Sequence, residues 1–167
     1  MVVCSAARDG VALDLVPFPP ARETMSSPDG RWMLEISVEP RARDGHAIGT
    51  MRHDGAMLWQ HRLNQPIRPR FAVVADDGAV ALFGCWHNIP DDVSIEVLDP
   101  GGATRLRLDQ AAIERAVGVS VGAMADAVRH GVWLDRVPRM QGGQVLLGAA
   151  GRALVLDLRD GVLRTAR

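Results

Sequence analysis

Short apolar runs separated by Gly-containing turns recur three times along this chain, and that recurrence constrains its fold more than any other feature. The three units span residues 11–63, 71–108 and 132–165. In each unit one apolar run precedes a Gly turn and three more runs follow it, joined by further turns or a loop. Regularly spaced apolar runs with turn signals between them predict antiparallel strands. We therefore expect about three four-stranded antiparallel units.

The first unit shows the strand pattern most clearly. Trp32, Leu34, Ile36 and Val38 occupy every second position of residues 31–39. A period of two predicts a half-buried strand, so we expect these four side chains to face inward and the intervening ones to face outward. The Asp-Gly pair at residues 54–55, which stands between two apolar runs, predicts a hairpin.

The turn that opens this strand has the sequence Ser27-Pro28-Asp29-Gly30-Arg31. This motif resembles the turn that opens a strand in the WD40-like blades of bacterial β-propellers, although the Trp-Asp dipeptide of that family is absent. The resemblance implies a mainly β fold built of antiparallel four-stranded propeller-like units. We expect residues 1–167 to form a single domain of this kind, with one short helical insertion at residues 109–130.

The helical insertion is the one clear break in the β pattern. Asp109 is placed to accept hydrogen bonds from the first amides of a helix, and Gly118 is placed to end it. A second short helix is expected after Ser120, over residues 124–129. Only two arginines lie in the insertion, too few for a phosphate-binding surface, so we interpret it as a cover for a sheet edge rather than a DNA-reading element.

Three blades are fewer than the four that usually close a propeller ring. The open edges therefore need a cover, for which the insertion, a second copy of the chain and another protein are all candidates. The sequence is compatible both with closure of the β units into a ring and with packing of the units as a sandwich.

The composition limits the classes of partner that this chain is expected to bind. The chain has 19 basic and 20 acidic residues, a formal net charge of −1 and no run of transmembrane length. We therefore expect neither nucleic acid nor a membrane as a partner. All 19 basic residues are arginine, which is typical of a GC-rich bacterial genome. Because the amino terminus lacks the pattern of a signal peptide, we expect a cytoplasmic protein. Cys4 and Cys85 are too few for a disulfide framework, and their pairing is left open.

The most distinctive local chemistry lies in the loop at residues 85–92. Cys85 and His87 would share one face if the strand continued, and with Asp91 they are three types of zinc ligand. No second ligand pair completes such a site, so we expect no cofactor. The residues we predict to contact a partner are Trp86, His87, Asn88, Asp91 and Asp92.

Two functions remain open from the sequence. The first is a non-catalytic protein-binding role, as an inhibitor, an immunity-type protein or an assembly module, with another protein or a second copy of the chain as partner. The alternative is a metal-binding protein or an enzyme that uses residues 85–92. Trp59, Trp86 and Trp133 are possible anchors at an interface. For Trp32 and Trp59, packing between sheets is the preferred interpretation.

Overall fold

The computed structural model describes residues 19–38, 46–85, 93–118 and 133–166, together with Ala123 and Asp126. The strands are β1 (Arg22–Ser26), β2 (Trp32–Val38), β3 (His46–His53), β4 (Ala56–Pro66), β5 (Phe71–Val74), β6 (Val80–Phe83), β7 (Ile95–Leu98), β8 (Thr104–Leu108), β9 (Leu134–Gln141), β10 (Gln144–Ala149), β11 (Arg152–Asp157) and β12 (Leu163–Thr165). A helix, α1 (Gln110–Val117), lies between β8 and β9.

The strands form three four-stranded antiparallel sheets, each made of four consecutive strands. Sheet A contains β1 to β4, sheet B contains β5 to β8 and sheet C contains β9 to β12. The predicted fold class, mainly β with about three four-stranded propeller-like units and a short helix, is confirmed.

One predicted strand is placed differently. Arg22–Ser26 supplies the first strand of sheet A, whereas the run at residues 11–18 was expected to do so and lies outside the described residues. Four of the five residues of β1 are exposed, so this strand forms by pairing with β2 and not by burying an apolar face of its own.

The Ser-Pro-Asp-Gly-Arg motif forms the turn between β1 and β2. The Ser27 hydroxyl donates to an Asp29 carboxylate oxygen at 2.5 Å and accepts from the Trp32 amide at 3.1 Å. The same Asp29 oxygen accepts from the Arg31 amide at 3.0 Å, while Gly30 takes a φ of 74°, which glycine adopts without strain. The motif thus satisfies the polar groups of a tight hairpin.

Sheet B lies between the other two sheets. Every residue of β6 and β7 is buried, so both faces of these strands are covered. Val80, Leu82 and Leu98 pack against sheet A in one apolar cluster. Phe83 and Ile95, on the opposite face, pack against sheet C in a second cluster. Sheets A and C therefore each pack one face against sheet B.

The innermost strands of the three sheets meet around a common line. β5 contacts β1 on one side and β9 on the other. Met25 from β1, Val73 from β5 and Pro138 from β9 line one shared open depression of about 390 Å³. Four-stranded antiparallel sheets whose first strands lie side by side are the arrangement of propeller blades.

Leu34 and Ile36 on β2 are fully buried, and Trp32 and Val38 pack at the edge of the same cluster, as the alternation predicted. Trp32 stacks on His53 with ring centroids 4.1 Å apart. A Cβ atom at Gly78 of sheet B would lie 2.5 Å from the Trp32 ring. Glycine at this turn therefore lets sheet B approach the ring closely.

Trp59 also fills space between sheets A and B, as expected. Its indole Nε1 donates to the Pro100 carbonyl at 3.0 Å, and its ring stacks on His61 at 4.5 Å. Gly102 of sheet B lies against both rings.

A buried carboxylate lies between the same two sheets. Glu96 on β7 is fully buried and accepts from Asn64 at 2.8 Å, Thr104 at 2.7 Å, Arg107 at 3.1 Å and Gln65 at 3.2 Å. Asn64 and Gln65 belong to sheet A and the other partners to sheet B, so Glu96 links the two sheets.

The helix begins and ends as predicted. The Asp109 side chain accepts from the Ala112 amide at 2.7 Å, and Gly118 ends the helix with a φ of 67°. Ile113 and Val117 are buried, and α1 contacts β8 and β12, so it covers the outer edges of sheets B and C. Of the predicted second helix the structure describes only Ala123 and Asp126, which are both helical and exposed. In the described part of the chain no helix is long and apolar enough to span a bilayer.

Candidate protein-binding surface

The outer face of sheet C, which points away from sheet B, is the candidate site. The register of the sheet sets one row of four neighbouring side chains across it: Arg139 pairs with Leu146, Leu146 with Val155, and Val155 with Arg164. Leu146 is half-buried and Val155 is buried, while both arginines are exposed. The row is thus an apolar strip with a cation at each end.

The next row has small residues in its centre and a cation at its β9 end only. Arg136 pairs with Gly148, Gly148 pairs with Ala153, and the Ala166 amide donates to the Ala153 carbonyl at 2.8 Å. A Cβ atom at Gly148 would clash first with the Asp135 carboxylate and would also lie 2.7 Å from Cγ of Arg136, so both side chains lie over the glycine. Because Gly148, Ala153 and Ala166 have small side chains or none, they rise less above the sheet than the neighbouring larger side chains.

Two open depressions lie on this face. One, of about 430 Å³, is lined by residues that include Arg136, Arg139 and Leu146. The other, of about 380 Å³, is lined by residues that include Val155 and Arg164. Ala166 lines both, so the depressions adjoin.

The arginines of this face have unused hydrogen-bonding capacity. Among the described residues, the guanidinium groups of Arg136, Arg139 and Arg164 form no hydrogen bond or salt bridge. Each guanidinium carries five N–H donors in a planar fork that matches a carboxylate. These groups are available to a partner.

The two carboxylates near this face are already engaged. Asp135 accepts a hydrogen bond from the Gly151 amide. Asp157 accepts one from the Gln144 side chain at 3.0 Å and another from the Arg159 amide at 3.0 Å. The Gln144 hydrogen bond is the main reason that the pKa of Asp157 lies below its usual value, with the Arg159 amide next and the charge of Arg164 a smaller contribution. These hydrogen bonds stabilise turns of sheet C and leave both carboxylates ionised, so the three arginines against two carboxylates give this face a formal net charge of +1.

The outer face of sheet A has a different character. The polar side chains of one row satisfy one another: Arg22 and Glu35 form a salt bridge at 3.3 Å, and Gln60 donates to Thr50 at 3.0 Å. Such polar pairing is usual for a face that meets water, and exposed pairs of this kind contribute little to stability. This face therefore serves as an internal control for the outer face of sheet C.

The tryptophan anchors proposed from the sequence need correction. Trp133 is fully buried in the cluster between sheets B and C, and Trp59 is 9% exposed. Both fill the spaces between sheets, so neither is available to a partner. Trp86 lies outside the described residues.

The predicted binding loop also lies outside the described residues, since Trp86, His87, Asn88, Asp91 and Asp92 all fall in the undescribed segment. The strands that flank it meet where the Gly84 amide donates to the Ser94 carbonyl at 2.7 Å. Cys85, at the start of the loop, is 8% exposed and packs as a small buried apolar residue. The loop's role in binding stays a prediction.

The neighbouring residues Asp76 and Asp77, in the turn between β5 and β6, both accept hydrogen bonds from backbone amides. Asp76 accepts from the Asp29 amide at 2.9 Å and Asp77 accepts from the Ala79 amide at 3.1 Å. Nowhere in the described ranges do three or more His, Cys, Asp or Glu side chains group so that they could hold a metal ion.

Sequence reasoning missed the outer face of sheet C, although one signal for it was present. In β10, Val145 and Leu147 point toward sheet B, and Leu146 between them is also apolar. Apolar residues on both faces of a strand indicate that both faces are covered. The arginines at the ends of the row could be placed only with the strand register.

Comparison with solved structures finds the crystal structure of BamB from Moraxella catarrhalis, with a TM-score of 0.38 and 17% sequence identity. The match covers 84% of this chain, which spans only 47% of the matched chain. No protein-family model and no curated protein matches the sequence.

Proposed function

We propose that this chain is a non-catalytic protein-binding module and that its binding surface is the outer face of sheet C. The observation that carries the proposal is the row from Arg139 through Leu146 and Val155 to Arg164, in which apolar side chains lie between guanidiniums that form no hydrogen bond or salt bridge with the described residues. Interfaces combine an apolar centre with a polar rim, and arginine is enriched in them.

The two open sheet faces differ in a way that favours this choice. The outer face of sheet A satisfies its own polar groups, whereas the outer face of sheet C leaves donors free beside an apolar strip. A guanidinium that is covered without an acceptor loses its hydration, so a partner that supplies acceptors there gains affinity and orientation.

A binder without chemistry of its own acts as an inhibitor, an immunity-type protein or an assembly module, and the identity of the partner distinguishes these roles. We also retain the proposal that residues 86–92 take part in contact. Replacing His87 and Asp92 together by alanine should weaken partner binding while leaving folding unchanged. Unchanged affinity would assign the loop a structural role.

The test of the main proposal compares two equivalent substitutions. Leu146→Glu places a charge on the apolar strip of sheet C, and Ile48→Glu places the same charge at a half-buried aliphatic position on a central strand of sheet A, on its outer face. Each tagged chain is used to recover partners from the source organism, and the affinity of the purified partner is then measured by calorimetry.

The proposal predicts that the wild-type chain and Ile48→Glu bind with similar affinity and that Leu146→Glu binds at least about tenfold more weakly, which corresponds to ~1.4 kcal/mol. Arg139→Ala, which removes no apolar side chain from the sheet, should weaken binding in the same direction. Wild-type affinity in both Leu146→Glu and Arg139→Ala would contradict the proposal.

A further inference from the structure

We propose that the outer face of sheet C accepts an amphipathic helix of a partner protein, with acidic residues on both sides of the helix's apolar stripe. This inference rests on the proposed function and names the partner class for the same surface. Its basis is the spacing of the arginine side chains across the sheet and the charge that they present.

The spacing fits a helix. Arg139 on β9 and Arg164 on β12 stand at opposite ends of one row, three strand spacings apart. Since neighbouring strands lie about 4.8 Å apart, the two Cα atoms are separated by roughly 14 Å. An α-helix with its side chains is about 10–12 Å across, so a helix that runs along the strands fits between the arginines.

The floor between the arginines matches an apolar stripe. Leu146 and Val155 lie in the middle of the row, and Ala153 and Ala166 extend the strip along the strands. Helix recognition commonly places the apolar face of an amphipathic helix in such a groove.

The positive charge of the arginines favours a partner helix with acidic residues on both sides of its apolar stripe. Arg136 and Arg139 stand on the β9 side of the strip and Arg164 on the β12 side, while the neighbouring carboxylates Asp135 and Asp157 are held by hydrogen bonds within the sheet. Glutamate or aspartate on each side of the helix would accept bidentate hydrogen bonds from these guanidiniums. A basic partner would meet like charges.

A second copy of the chain is a poorer occupant. In the described part of sheet A, the carboxylate of Glu35 on the outer face already pairs with Arg22, and Arg52 and Arg62 on the neighbouring strands add positive charge. Packing that face, or another copy of the outer face of sheet C, against these arginines would bring like charges together.

The experiment uses the full chain and three synthetic peptides of about 18 residues, a length that supports an isolated helix. The first peptide has a leucine stripe with glutamates on both flanks. The second has the same composition in an order that disperses the leucines, and the third has the leucine stripe with lysines in place of glutamates. Fluorescence anisotropy measures binding of each labelled peptide.

We expect the chain to bind the first peptide about tenfold or more tightly than the other two. Arg139→Glu and Arg164→Glu should each weaken that binding by about tenfold or more, and added salt should weaken it further. The matched control is Arg152→Glu, because Arg152 lies on β11 beside Ala153 and points to the opposite face by strand alternation. This control should bind as the wild-type chain does.

Several results would overturn the inference. Equal binding of the three peptides, or no binding of the first, would exclude an acidic amphipathic helix. A change in sedimentation of the free chain on Arg139→Glu would indicate a second copy as occupant. Loss of stability of the free chain on the same change would indicate that a segment of this chain covers the face.

The same experiments distinguish failure of the proposed function from failure of this inference about the partner class. If Leu146→Glu weakens binding of the natural partner while the acidic peptide does not bind, the surface is right and the partner class is wrong. If Leu146→Glu and Arg139→Ala leave the natural partner's affinity unchanged, both proposals are wrong.

Discussion

Replacing Glu96 by alanine should destabilise the protein by about 3–5 kcal/mol, the usual cost of removing one partner from a buried charged cluster. The Glu96 carboxylate accepts hydrogen bonds from Asn64, Gln65, Thr104 and Arg107. The Arg107 side chain is 49% exposed and can regain water when its acceptor is lost. The Gln65 side chain is fully buried and cannot regain water. Asn64 is exposed and can also regain water, so the magnitude depends on the charge-assisted hydrogen bonds lost together, about 1.5–3 kcal/mol each, and on the buried Gln65 amide that is left without its acceptor.

The matched control is Glu35→Ala. The Glu35 carboxylate lies on the outer face of sheet A, where its side chain is 28% exposed and pairs with an Arg22 side chain that is 69% exposed. An ion pair exposed to this degree contributes about 0–1 kcal/mol. The two variants lose the same atoms, so their difference reports the position of the carboxylate between sheets A and B.

Urea denaturation monitored by tryptophan fluorescence measures both changes. For a slope of about 2 kcal/mol per molar urea, Glu96→Ala should lower the midpoint by roughly 2 M and Glu35→Ala by less than about 0.5 M. The Asn64→Ala change, made alone and together with Glu96→Ala, should give a coupling energy of about 0.5–3 kcal/mol. Equal midpoint shifts for the two glutamate variants, or no coupling to Asn64, would refute the view that Glu96 links the sheets.

Other predictions concern turns, the core and pH. Gly78→Ala should cost clearly more in thermal denaturation than Gly30→Ala, because both glycines have positive φ values but only a Cβ at Gly78 meets a ring, that of Trp32; equal losses would contradict this. Ile36→Ala should cost about 2–5 kcal/mol in urea denaturation through cavity formation, and a loss below about 1 kcal/mol would contradict its burial. The folded-state pKa of Asp157 is lowered, so its contribution is present above the unfolded value of about 3.9 and is lost as pH falls through the folded pKa. Asp157→Asn should therefore be less stable than wild type at pH 7 and approach it near pH 2 in pH-dependent denaturation, whereas a constant difference would contradict the linkage.

The sequence predicted those parts of the fold that depend on local chemistry. Asp109 and Gly118 bound the helix because capping uses only neighbouring residues. The turn at residues 27–31 formed as expected because Ser27 and Asp29 satisfy its amides within five residues. The alternation of apolar and polar residues in β2 is also a local pattern, and it correctly predicted that Ile36 is in the core.

Features that depend on distant partners could not be predicted. Glu96 stands in an apolar strand, and its partners Asn64 and Gln65 lie 32 and 31 residues away in sequence. The apolar strip of sheet C needs Arg139 and Arg164 to be brought into one row by the register of four strands. No local pattern encodes either arrangement, since pairing sets which side chains meet.

Carbene labelling of side chains in the complex with the recovered partner, read out by mass spectrometry, tests the binding surface most directly. The proposed function predicts that labelling falls at Leu146, Val155 and Arg139 when the partner binds, while Ile48 and Gln60 on the outer face of sheet A label as they do in the free chain. Protection confined to sheet A, with unchanged labelling of the three residues of sheet C, would contradict it.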